Sequence, residues 1–541
     1  MPTTNVFLAP PAFLNAENTK LLQKYCQNPP DLTHKGFLNP ERIAKMTARG
    51  AGWTYSYAFQ RVDDAIMEGL LHLAKERKVF EQMEAMQKGE MANFIEGFPS
   101  DRRAVLHTAE RDLFGSKPLS EAVRKARELA MQEHKKLEAF MAEIDREDHF
   151  TDMIFVGIGG SLLGPQAFCE ALAPQKCSRR VSFVANVDPF DVNAVLKNVT
   201  LSHALVVIVS KSGSTQETAT NEEFLRREFI RAKLDPKNHF IAVTSPKSKM
   251  DDSTRYRAIF YIPEYVGGRF SASTKGAGLP ISFLSGFSTF DAFLKGAHAM
   301  DLVALEKDPL KNLPLLAALL GIWNRNFLKL PVVAIATYCQ RLRLLPAHIQ
   351  QVDMESNGKR IDRCGRTCKF ETGPHVYGGA GTIIQHSFFQ LLHQSSKSEV
   401  LHEFIGLLDA PELEDIVYKG TTSQEKLVAN MLAQILALAI GQANSNPNKV
   451  FPGNRPSTML IAETLTPEVL GALLAFYEHK IAFQGFIWGI NSFDQEGVQL
   501  GKTLADEILG IIGARREKKA HAPSPLADSL LTLVDGVAAK K

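Results

Sequence analysis

Hydrophobic and polar positions follow two distinct rhythms along the chain. In the first 150 residues or so, apolar side chains recur every three or four positions. This is clearest in DDAIMEGLLHLAKERKVFEQMEAMQ (63–87) and PLSEAVRKARELAMQEHKKLEAFMAEI (118–144), and it predicts amphipathic helices. Between them, NFIEGFPSDRRAVLHTAERD carries loop markers at Gly97, Pro99 and Asp101, and its charges read as a solvated face. From residue 151 the rhythm changes to short apolar runs, each closed by turn residues and followed by a helical segment: MIFVGIGGSLLGPQAF, VSFVANVDP, ALVVIVSKSGSTQETATNEEFLRREFI and HFIAVTSP. A second region of this kind has strand candidates VVAIAT, VLHEFIGLL and TMLIAET. Its helix candidates are GTIIQHSFFQLLHQ, QEKLVANMLAQILALAI, PEVLGALLAFYEHKIAF and TLADEILGIIG.

Short strands alternating with helices build βαβ units. The pattern therefore predicts an α/β fold of two α/β/α sandwich domains with mainly parallel sheets. The expected division is a helical N-terminal region at 1–114 packing on the second domain, a first α/β domain at 115–290, a second at 291–515 and a C-terminal tail at 516–541. A length of 541 residues calls for more than one core.

Composition narrows the function classes. Hydrophobic residues make up 45% and charged residues 22%, the balance of a soluble globular protein. The formal net charge of +3 gives no reason to expect nucleic acid or an anionic membrane as partner, so any preference for anions must be local. The six cysteines are sparse and irregularly spaced, which suits a reducing compartment. Cys364 and Cys368 stand four apart, but no second Cys or His pair completes a zinc pattern, and they read as unpaired thiols. The N-terminus lacks a basic region followed by an apolar core, and the apolar runs are too short to span a bilayer. The expected location is cytoplasmic.

Several segments carry chemistry. SKSGSTQET follows a strand and opens a helix. Ser210, Ser212, Ser214 and Thr215 supply hydroxyls, Gly213 a tight turn and Lys211 a positive charge, while the helix start adds free N–H groups; the set suits a phosphate monoester. GIGGSLLG has the same placement, with Gly160 allowing close backbone approach and Ser161 a donor. Leu162 at the third glycine position excludes the dinucleotide fingerprint. GVQLGKT lacks one spacer residue of a nucleotide-binding loop, and nucleotide binding is rejected there. In QQVDMESNGKR, Glu355 lies between Met354 and a Ser-Asn-Gly turn signal, a setting suited to proton transfer. Arg269 in VGGRFSAST projects from a glycine turn; taken alone it reads as a surface charge. In GTIIQHSFFQLLHQ the stripe Ile384, Phe388 and Leu391 leaves His386 on the far side, toward a cleft or a partner chain. His393 shares that side, and periodicity does not choose between them. Lys502 stands at a helix start, where the dipole does not favour a cation, with Leu504, Ile508 and Ile511 as the packing residues.

Taken in order, NFIEGFPSDRRAVLHTAERD, GIGGSLLGP, SKSGSTQET, VGGRFS, QQVDMESNGKR, GTIIQHSFFQLLHQ and FDQEGVQLGK resemble the glucose-6-phosphate isomerase family, of the metal-free type built from sugar-isomerase domains. The resemblance runs from Asn93 to Lys502. It implies two sugar-isomerase-type domains, a hexose 6-phosphate substrate and no cofactor. It implies Glu355 as the base between carbons 1 and 2, His386 and Lys502 as the ring-opening groups, and Arg269 as stabiliser of the enediol(ate). Gly160, Ser161, Ser210, Lys211, Ser212, Ser214, Thr215, Gln351 and Gln495 are implied as substrate contacts. In the family the histidine comes from the neighbouring subunit, so a homodimer is implied. The run from Tyr377 to His386 departs from the family pattern, which has Glu and Asn where this chain has Gly379 and Ile383, and so does SASTKGAGLPISF after Arg269. These departures leave activity on mannose 6-phosphate open.

Overall fold

A computed structural model of the chain describes residues 5–115, 120–397, 399–411 and 414–538. It divides into two compact units, Met1–Phe493 and Asp494–Lys541.

Two sheets organise the first unit. The five-stranded sheet is parallel throughout, in the order Arg180–Val184, Asp152–Val156, Ala204–Val209, Phe240–Thr244, Ala258–Tyr261. Its central strands are buried along their whole length, as near-continuous apolar runs require when helices cover both faces. The second sheet has six strands. Val332–Tyr338, Val400–Leu407, Ser457–Ala462 and His375–Ala380 pair in parallel, and the hairpin Thr47–Gly50 and Trp53–Ser56 adds antiparallel to Ser457–Ala462. That hairpin lies in the stretch expected to be helical. Its strands, TARG and WTYS, are too short to show an alternation against the flanking turn. The strand Ala258–Tyr261 was likewise not among the expected strands.

The helix Pro467–Trp488 is buried at every residue from Leu470 to Trp488, the signature of a helix that is the core rather than a cover for it. It packs on Phe287–Ala304 with almost no space between backbones. A Cβ on Gly296 would lie 1.8 Å from the Glu468 carbonyl oxygen, and one on Gly471 would lie 1.8 Å from that of Phe293. Charged groups buried along this pair meet one another. Arg111 donates to Asp301 and Glu478, both at 2.6 Å, and His479 meets Asp301 at 2.6 Å. His107, Glu110 and Arg111 are thus core residues, not the solvated face that their polarity suggested: Arg111 and Glu110 meet opposite charges on distant helices, and burial keeps the His107 ring neutral.

The segment 381–394 is not one helix. A 3-10 turn Ile383–His386 and a short helix Phe389–Gln394 are separated at Ser387, so the inward residues are Ile384, Phe389 and Leu392 while Leu391 is 65 % exposed. In the second unit, helix Gln499–Arg516 and helix Pro525–Ala538 share a small cluster of Ile511, Ala527 and Leu531; Leu504, expected to pack, is 48 % exposed. Among the described residues no helix is long and apolar enough to cross a membrane.

The glycine contact is open to test. Gly296→Ala is expected to cost at least about 2 kcal/mol, because backbone must move to admit the methyl group. Gly501→Ala, with nothing within 4 Å, should be neutral or stabilising. Thermal unfolding midpoints of the two variants compare them directly, and equal midpoints would contradict the packing.

Candidate active site

In a doubly wound sheet, ligands bind beyond the carboxyl ends of the strands where strand order reverses. In the five-stranded sheet that point lies between Asp152–Val156 and Ala204–Val209, since the chain goes first to Arg180–Val184 on one side and then crosses to the other. The two glycine- and serine-containing loops, 157–162 and 210–215, leave these two strands.

The 210–215 loop gathers hydroxyls at the start of a helix. The buried Ser210 hydroxyl pairs with that of Thr215 at 2.9 Å, and Ser214 donates to Ser212 at 3.0 Å. Gly213 has φ +65°, and a Cβ there would lie 3.0 Å from the Met250 nitrogen. Thr215 precedes helix Gln216–Arg231 without capping it by its side chain, which leaves that helix end with its positive dipole and no side-chain cap. Lys211 does not point to solvent. Its ammonium donates to the carbonyls of Glu264 and Val266 at 2.9 and 2.8 Å, and burial, with the Arg103 cation nearby, pushes its pKa down to about 8.

Val266 leads into Gly267, Gly268 and Arg269, so Lys211 is fastened to the turn that bears the arginine. Gly160 touches the same turn. A Cβ on it would fall 2.4 Å from the Gly268 carbonyl carbon and 2.6 Å from the Arg269 nitrogen, so only glycine permits this approach. Contrary to its reading as a surface charge, Arg269 is 2 % exposed. Its Nε donates to the Ser356 hydroxyl at 2.6 Å and its Nη2 to the Ser492 carbonyl at 2.7 Å. The ring of Phe270, next in sequence, stacks on His107 at 4.9 Å.

Glu355 occupies the last turn of helix Leu345–Asn357, which Gly358 ends. Among the described residues its side-chain contacts are Gln351, one turn earlier, whose Nε2 donates to Oε2 at 3.2 Å, and Arg269, whose Nη1 lies 3.6 Å from Oε2. The Glu355 side chain remains 19 % accessible while the guanidinium is nearly sealed. Gln351 in turn faces Gly159, where a Cβ would lie 3.3 Å from its Nε2. A carboxylate reachable from solvent, backed by a buried cation at a helix C-terminus, can move a proton next to an atom that gains negative charge.

Gly160, Ser161, Ser210, Lys211, Ser212, Ser214, Thr215, Arg269, Gln351 and Glu355 therefore all lie on the loops and the helix end that these contacts link. His386 stands exposed at the end of its 3-10 turn, after Gln385 has donated to the Tyr338 hydroxyl at 2.7 Å. Gln495 and Lys502 belong to the second unit, Gln495 ahead of the turn Glu496–Val498 and Lys502 exposed on helix Gln499–Arg516. Three contributors had no reading in the sequence: Ser356, Ser492 and the Val266 carbonyl. Ser356 lies inside the MESNGK segment that singled out Glu355; a backbone carbonyl leaves no mark in a sequence. Among the described residues no group of three or more His, Cys, Asp or Glu is arranged to hold a metal ion.

Comparison with known proteins covers most of the chain. The family model of phosphoglucose isomerase matches residues 56–529. Glucose-6-phosphate isomerase of Protochlamydia amoebophila is 48% identical over 529 residues, covering 97% of this chain and 98% of that one. The enzyme of Chlamydia abortus is 47% identical over 535 residues, covering 98% and 99%. The crystal structure of a glucose-6-phosphate isomerase from Chlamydia trachomatis superposes with a TM-score of 0.93 at 45% identity, covering 97% of this chain and 100% of that one. The chain belongs to the phosphoglucose isomerase family.

Proposed function

We propose that Glu355 carries the proton by which this chain, an aldose–ketose isomerase, interconverts glucose 6-phosphate and fructose 6-phosphate. The observation that carries the assignment is the accessible Glu355 carboxylate set between Gln351 and the buried Arg269 guanidinium. In the forward direction Glu355 takes the proton from carbon 2 of the open aldose. The C–H electron pair forms the carbon 1–carbon 2 double bond, and the former carbonyl pair moves onto oxygen 1. Arg269 stabilises that oxygen's charge. A proton passes from oxygen 2 to oxygen 1, and Glu355 returns its proton to carbon 1, leaving the ketose with no net change in protons. Ser210, Lys211, Ser212, Ser214 and Thr215 hold the phosphate, with the uncapped start of helix Gln216–Arg231 in support. Gly160, Ser161, Gln351 and Gln495 contact the rest of the sugar. Anchoring the phosphate lets one base reach two adjacent carbons.

His386 and Lys502 open and close the ring in this scheme. His386 comes from the second subunit of a cytoplasmic homodimer. Its exposure at the end of a short turn supports this, as do the exposed apolar residues Ile416, Val417 and Tyr418 elsewhere on the same unit.

Three outcomes are expected. Glu355→Gln should lower kcat by roughly 10³-fold and stop exchange of the carbon-2 proton with solvent while hexose phosphate still binds; a coupled assay and proton NMR measure both, and unimpaired exchange would remove Glu355 from the role. Mixing refolded Glu355→Gln and His386→Ala chains should restore about a quarter of normal activity, since half the dimers are mixed and each has one intact site. A mixture no more active than its parents would place the histidine in its own chain's site. Because Lys211 titrates at about 8, it is charged below that pH and neutral above it. kcat/KM should therefore fall as pH rises from about 7 to about 9, and Lys211→Met should be weaker at about pH 7 with that limb of the profile flattened.

A further inference from the structure

Three consecutive residues end the helix Leu345–Asn357, and each is turned about 100° from the one before, so they face different surroundings. Glu355 reaches the accessible side, with Arg269 Nη1 3.6 Å from its Oε2. Ser356 and Asn357 turn inward and are fully buried. Ser356 accepts from Arg269 Nε at 2.6 Å. Asn357 does not touch the arginine, and nothing in the proposed chemistry uses it.

The neighbours of Asn357 fix which way its amide points. Its Nδ2 donates to the Ile481 carbonyl at 3.1 Å, a group that only accepts, and to Gln484 Oε1 at 3.4 Å. Its Oδ1 therefore faces the Ser492 hydroxyl, which donates to it at 2.7 Å. The Asn357 backbone is held too, since its carbonyl accepts from Lys359 and Gly373 at 2.8 and 2.9 Å. Ser492 is packed against the buried helix Pro467–Trp488: a Cβ on Gly485 would lie 2.0 Å from the Ser492 hydroxyl and 3.5 Å from Asn357 Oδ1. The carbonyl of this same Ser492 receives Arg269 Nη2 at 2.7 Å. One side of the guanidinium is thus set by Ser356 directly, and the other by Asn357 through Ser492. Together they turn Nη1 toward Glu355.

We infer that Asn357 is a positioning residue for the isomerisation. Acting through Ser492, it fixes the plane of the Arg269 guanidinium against the oxygen that gains charge. The inference rests on the roles proposed above for Glu355 and Arg269. Such an anchor acts on the charged intermediate more than on the neutral carbonyl of the substrate, so its loss appears in kcat and leaves KM nearly unchanged.

Asn357→Ala and Ser492→Ala test the two ends of the link. Each is expected to lower kcat roughly 10- to 100-fold with KM within about twofold. Inhibition by the hydroxamate of 5-phosphoarabinonic acid, whose planar head carries charge where the enediolate does, should weaken by the same factor as kcat. A double-mutant cycle supplies the readout that a structural role would not move. Arg269→Lys should itself slow turnover by at least about 100-fold, and adding Ser492→Ala to it should cost less than about threefold, because the group being positioned is gone. If Asn357→Ala does not fold, Ser492→Ala decides, since it removes one oxygen and keeps the carbonyl that Arg269 uses. Unchanged kcat in Ser492→Ala, a loss carried by KM, failure of that variant to fold, or full additivity with Arg269→Lys would each overturn the inference and leave the roles of Glu355 and Arg269 standing. Unimpaired turnover in Arg269→Lys alone would overturn the role of Arg269 and this inference with it.

Discussion

A guanidinium withdrawn from water must be hydrogen-bonded by the protein, and meeting that need at Arg269 ties the site together. Two of its partners lie far apart in the chain: the Ser356 hydroxyl at the end of Glu355's helix, and the Ser492 carbonyl just after the buried helix Pro467–Trp488. Its backbone is pressed against Gly160, and the carbonyl three residues before it receives Lys211. One buried cation therefore sets the spacing among the two loops of the parallel sheet and the carboxylate. Holding a base and a cation rigidly before substrate arrives is what proton transfer beside a developing negative charge demands.

The surrounding core is itself charged, and this follows from the same requirement. Asp301 and Glu478 share Arg111. Burial by itself would raise the Asp301 pKa, but the Arg111 guanidinium and His479 hold it well below the usual carboxylate range. Burial pushes Glu478 up to about 7 despite the same arginine, and it drives His107 well below its ordinary value. His107 is thus a neutral ring, free to stack flat on Phe270 beside Arg269. Breaking a buried pair of this kind costs far more than its net contribution suggests, about 3–5 kcal/mol, because the partner is stranded. The close glycine contacts of Gly296 and Gly471 bring Asp301 and Glu478 near enough to share one arginine.

The pattern of apolar residues made much of this legible. The parallel strands of both sheets, apart from Ala258–Tyr261 and His375–Ala380, and most of the long helix Pro467–Trp488 follow from short apolar runs and from the helical candidate PEVLGALLAFYEHKIAF. The hydroxyl-rich loop was readable because Ser210 to Thr215 stand at a strand-to-helix junction. Glu355 was readable from the turn signal that ends its helix. The departures have physical causes. Thr47–Gly50 and Trp53–Ser56 are strands because the edge of Ser457–Ala462, some four hundred residues away, supplies their partner. The stripe assigned to 381–394 failed because the chain breaks at Ser387, where tertiary packing overrides a helical period.

By itself, then, the order of residues determined the α/β class, the two sheet-forming regions, the family likeness and the residue types of the site, because each rests on local periodicity or on a short contiguous motif. Tertiary structure alone decided that Arg269 is buried rather than solvated, that Lys211 turns to the Val266 carbonyl, and that the charges of 107–111 are core charges. The reason is common to all three: the burial of a charge depends on partners brought from distant parts of the chain, and a linear sequence does not state which ones will meet.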